Sequence, residues 1–146
     1  MRKFVGGILA VAVAVMVVVS VASGSSSKTF TAHLTAAQET PKPTGAPKGA
    51  TGTFKATLTG TTLKWTLTFS HLSGAAQQAH IHLGKKGVAG NVVVVLCSSP
   101  AQCKSPSKGS MKNVPAAAIK ALGNAGAYVN VHTKKNPNGE IRGQIM

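Results

Sequence analysis

The chain has 146 residues, room for one domain, and sets 16 Lys and Arg against 2 acidic residues for a formal net charge of +14. One Trp, one Tyr and two Arg exclude the stacking platforms and arginine clusters of a nucleic-acid binder. Two carboxylates, no Ser/His/Asp arrangement and no phosphate-cradling glycine motif point away from an enzyme.

The N-terminus opens with Arg2-Lys3 and then runs uncharged from Phe4 to Ala22. A basic start, an apolar run and the small residues Ser20-Val21-Ala22 describe an export signal over 1–22, cleaved after Ala22. The run is also close to the ~20 residues that cross a bilayer, so an uncleaved N-terminal anchor stands beside the signal peptide. Either way, contact with a membrane is expected only through this segment. Residues 23–28, with Gly24-Ser25-Ser26-Ser27, read as a flexible spacer. A folded domain is expected over 29–146.

Within it, Thr29 to Thr35 alternates, with Phe30, Ala32 and Leu34 on one side. Gln38 to Gly49, rich in proline and glycine, is loop. Gly52 to Thr59 and Leu63 to Ser70 alternate around Gly60-Thr61 and predict a β-hairpin, with Phe54, Ala56, Leu58, Trp65 and Leu67 facing in. Ala79 to Gly84 predicts a strand that carries His80 and His82 on one face and Ile81 and Leu83 on the other. The continuous apolar run Val92 to Leu96 suggests a strand buried on both faces. Val114 to Leu122 is the one helical segment, with Pro115 at its start and Gly123 after its end. Tyr128 to Thr133 is a strand with Tyr128, Asn130 and His132 on one face. Glu140 to Ile145 closes the domain. Short strands at regular spacing with Gly and Pro turns predict an all-β sandwich with one short helix near 115–122.

Cys97 and Cys103 are the only cysteines, and export places them in an oxidising compartment. A disulfide closing the small loop between them is expected, with two free thiols as the alternative. His80, His82 and His132 form a candidate metal site. Histidines at i and i+2 on a strand hold their rings parallel, and a third from a distant strand completes a set suited to copper or zinc. His33 or His71 could add a fourth ligand. The bland alternative is that these imidazoles bond to backbone, Asn130 and Thr133 and order the loops. Glu140 and Arg142 share a strand face and predict a structural ion pair, and Glu39 is expected to meet a lysine or a histidine. The scattered lysines, outside the cell, fit an anionic envelope polymer or an extracellular protein as partner, or simply keep the surface soluble.

Four ordered stretches carry a family resemblance: His80-Ile81-His82-Leu83-Gly84; Gly87-Val88-Ala89-Gly90-Asn91-Val92-Val93; Ala127 through Thr133; and Asn138-Gly139-Glu140-Ile141-Arg142-Gly143-Gln144-Ile145. With the opening Leu34-Thr35-Ala36-Ala37-Gln38-Glu39-Thr40-Pro41, they closely resemble the CHRD domain, named after chordin, over nearly everything from about Thr29 onward. Thr40 departs from the Val or second Pro of many members. The resemblance implies a Greek-key β-sandwich similar in architecture to copper/zinc superoxide dismutase, and an extracellular or cell-envelope setting. It also makes His80-Ile81-His82 look like that enzyme's copper-binding His-x-His pair, with His132 as a late-strand third. Between His82 and His132, however, there is no His, Asp or Glu to supply a bridging ligand and a zinc loop. Dismutase activity is therefore not expected. The reading that follows is an exported binding or structural module with a basic surface, or alternatively a copper- or zinc-binding protein.

Overall fold

Period-two alternation becomes eight antiparallel strands in a computed structural model that describes residues 26–146. The export segment expected over 1–22 lies outside these residues, as do 23–25 of the spacer. Ser27 already belongs to a strand. In chain order the strands are β1 (Ser27–Thr35), β2 (Thr51–Thr59), β3 (Thr62–Ser70), β4 (Ala76–Leu83), β5 (Val92–Cys97) and β6 (Ser107–Met111). The helix α1 (Ala116–Leu122), β7 (Ala127–Thr133) and β8 (Ile141–Gln144) follow. Pro115 caps the start of α1 and Gly123 its end, as the sequence predicts.

All eight strands hydrogen-bond into one sheet with the order β5-β4-β7-β8-β1-β2-β3-β6. The edge strands β5 and β6 approach each other, so the sheet rolls into a nearly closed sandwich. One buried apolar cluster draws on both halves, with Phe54, Leu67, Ile81, Val129 and Ile141 all excluded from solvent. Burying each such side chain contributes roughly 1.5–3 kcal/mol, so this cluster dominates stability. A disulfide joins Cys97 at the end of β5 to Cys103, with the sulfurs 2.01 Å apart. It ties the β5 edge to the segment that leads into β6.

One expectation is corrected, and one strand is added that the sequence left unassigned. β5 is not buried on both faces: Val92 and Val95 are 45% and 53% exposed, because the strand lies at the sheet edge. Register shifts opposite it, at Ala79/His80 and Ile81/His82, break its in–out alternation. β6 is a strand that Ser-Lys-Gly-Ser did not announce, since glycine and serine carry little strand preference. Its Gly109 is demanded by packing. A Cβ there would lie 2.3 Å from Cζ2 of Trp65.

The central strand β7 is buried along its whole length. Val129 and Val131 pair with Ile81 and Ala79 of β4 on the core side. Tyr128, Asn130 and His132 face the other way, beneath loops, and this second face carries the histidines.

Candidate metal centre

Register places the three histidines together. Across β4 and β7, His82 pairs with Tyr128, His80 with Asn130 and Gln78 with His132. On the far side of β7, Asn130 pairs with Arg142 of β8. His80, His82 and His132 each offer a ligand atom, and these atoms lie within 4.8 Å of one another. Neither His33 nor His71 joins them, and both are exposed. The three rings are not open to solvent as the sequence allowed: they are 9%, 8% and 7% exposed.

The roof over them consists of loops pinned by backbone carbonyls. His82 Nδ1 lies 2.8 Å from the Gly90 carbonyl, and His132 Nδ1 lies 2.9 Å from that of Pro137. A carbonyl only accepts, so each Nδ1 carries the proton and each Nε2 keeps its lone pair. His132 Nε2 therefore accepts from His80 Nδ1 at 3.1 Å. His82 Nε2 is buried without a well-formed hydrogen bond, and so is the oxygen of the Asn130 amide that acts on the same ring. An orphaned acceptor of this kind is costly unless something fills it. The rings also remain uncharged at neutral pH. Burial pulls the His80 imidazole down to about 4, helped by His132 and His82. Burial likewise lowers His82 and His132 against the pull of their carbonyl partners. Three neutral imidazoles, two with tautomers fixed by an outer ring of carbonyls, form a donor set that fits copper or zinc.

Behind His82 stands a stack of three groups. The Tyr128 ring lies parallel to His82, with centroids 4.8 Å apart. The Arg142 guanidinium sits over Tyr128 at 3.4 Å. Arg142 also donates to the carbonyls of Lys85 and Val88, each at 2.9 Å, and the Tyr128 hydroxyl accepts from the Gly90 N–H at 3.2 Å. Arg142 and Tyr128 together hold the segment whose Gly90 orients His82. Gly90 must be glycine, because a Cβ would fall 1.7 Å from the Leu83 oxygen.

The expected Glu140–Arg142 ion pair is not formed. The buried Glu140 carboxylate accepts from the Ser73 N–H at 2.6 Å, the Thr133 hydroxyl at 2.6 Å and the Asn136 amide at 2.9 Å. Burial pushes this carboxyl up, but these hydrogen bonds outweigh it and hold it below the usual range. Glu140 thus knots the loop under His132, while Arg142 is committed to the opposite loop. Glu39, expected to meet a lysine or histidine, is instead buried against Gly139, whose Cα leaves room for the carboxylate. Burial raises its carboxyl to about 7, opposed by the Thr40 N–H, Arg142 and Asn130.

The stack and the carbonyl anchors escaped sequence reading. The only signal was the glycine spacing Gly84, Gly87 and Gly90 after His82, which reads as turns but also marks close backbone approach.

A small disulfide-tied all-β domain with a roofed histidine cluster is the class that fold and site define. The family model described as CHRD domain matches residues 30–145, and the chain belongs to that family. No curated protein and no solved structure matches it.

Proposed function

We propose that this chain is an exported, non-enzymatic CHRD module of the cell envelope that holds a copper or zinc ion through His80, His82 and His132. The observation that carries this reading is the buried His82 Nε2, without a well-formed hydrogen bond, beside two further imidazoles, with ligand atoms within 4.8 Å. A bound ion would take the place of the His80–His132 hydrogen bond and supply a Lewis-acidic centre. The disulfide and the family support an extracellular setting. The test is titration of the purified chain with Zn²⁺ and Cu²⁺, followed by calorimetry and elemental analysis. The expected result is one ion per chain at neutral pH, lost in His80→Ala and His132→Ala and released by acid, since protonated imidazole cannot ligate. A chain that takes up neither ion at neutral pH overturns the metal reading.

A second reading, an interaction module that holds an anionic envelope polymer or a protein through its basic surface, draws support from the charge distribution. Both acidic residues are buried, and every lysine of the described residues is exposed. Salt-sensitive sedimentation with envelope fragments tests it.

A further inference from the structure

The outward face of β2, β3 and β6 carries a checkerboard. Lys64 pairs with Thr57 on one side and Ser110 on the other. One row along, Thr66 pairs with Lys55 and Lys108. Each lysine therefore has hydroxyl-bearing neighbours both across the sheet and along its own strand. Strand spacing and rise put Lys64 roughly 8 Å from each of the other two lysines, and those two roughly 10 Å apart, at the Cα level. Lys55, Thr57, Lys64 and Thr66 line a shallow depression of about 310 Å³.

The counter-ions of these lysines come from outside the chain. Glu39 and Glu140 are its only acidic residues, and both are buried on other elements. Among the described residues no exposed valine or methionine lies on this face, since Val88, Val92, Val95 and Met146 sit elsewhere, so its strands offer nothing to insert into a bilayer. Among the described residues it also offers no exposed aromatic ring on which a base could stack: Trp65, Tyr128, Phe30 and Phe54 are buried and Phe69 is half-buried.

We infer that this face binds an extended polymer bearing a phosphate on each repeat, such as a polyol-phosphate chain of the envelope. Each phosphate takes one ammonium as a point charge and a neighbouring Thr or Ser hydroxyl as a hydrogen-bond donor. The inference rests on the interaction-module reading and is independent of the histidine cluster.

The experiment measures binding of the purified chain to poly(glycerol phosphate) across a salt series. Wild type is compared with Lys55→Gln/Lys64→Gln/Lys108→Gln and with the charge-matched Lys86→Gln/Lys120→Gln/Lys134→Gln, all at exposed positions. Melting curves check that each variant is folded. The face variant is expected to bind about tenfold more weakly, with a shallower salt dependence, and the matched variant to lose much less. His132→Ala is expected to bind as wild type does. Equal losses in the two triple variants would mean diffuse charge and overturn the assignment. Tighter binding to single-stranded DNA or to phosphatidylglycerol vesicles than to the polymer would overturn it as well. A wild-type chain that sediments with envelope fragments yet ignores poly(glycerol phosphate) sinks this face alone. A chain that sediments with neither sinks the module reading too.

Discussion

Tyr128 is where a single hydroxyl should matter most. Its ring lies between His82 and Arg142, while its oxygen takes the Gly90 N–H. Tyr128→Phe keeps the ring stack and removes only that bond, so Gly90 is held less firmly, through the Arg142 contacts to Lys85 and Val88, and orients His82 less strictly. Metal affinity should then fall about tenfold, at the lower end for loss of an outer-shell partner, with no loss of fold. Parallel metal titrations and melting curves check both halves. Glu39 provides a second residue-scale case. Its carboxyl titrates higher in the folded chain, about 7 against 4.5, so the folded state binds the extra proton. Its contribution is complete below pH 4.5 and is lost as pH rises towards 7. Glu39→Gln, which mimics the protonated form, removes that decline, so urea midpoints should rise more steeply between pH 4.5 and 7 than in wild type.

At the scale of elements, β6 and the disulfide are the points to probe. Gly109→Ala drives a methyl into the Trp65 ring, and overpacking of this kind should cost about 1–3 kcal/mol, measured by denaturant unfolding. Cys97→Ser with Cys103→Ser opens a short loop and should cost about 2 kcal/mol by the chain-entropy argument. The same elements mark what was legible beforehand. β2 and β3 stood out because Phe54, Leu58, Trp65 and Leu67 alternate with Lys and Thr across a tight turn. α1 stood out because proline and glycine punctuate it. The histidine grouping was legible from two-residue spacing, although strand pairing alone brings His132 to the other two. β6 was hidden because its packing value lies in an absent side chain. β5 misled because a run of valine suits an edge and an interior strand equally. The Glu140–Arg142 pairing failed for a local reason: Ser73, Thr133 and Asn136 reach Glu140 first, and periodicity says nothing of loops that arrive from elsewhere.

At the scale of the whole molecule, acid should unfold the metal-free chain through its histidines. His80 titrates near 4 in the folded chain against 6.5 unfolded, and His82 and His132 are lowered too. The unfolded state therefore binds more protons in that window. Stability contributed by these groups is complete above pH 6.5 and drains away as pH falls towards 4. Glu39 tilts the other way but is a single group. Urea midpoints should therefore drop from pH 6.5 to 4 in wild type and drop less in His80→Ala. The roof adds a kinetic consequence. With the rings sealed under Gly90 and Pro137, and Arg142 bolting the lid to the sheet, an ion could neither arrive nor depart faster than that lid breathes. Chelator stripping should then run at a rate indifferent to chelator concentration, matching amide exchange of the Gly84–Asn91 segment.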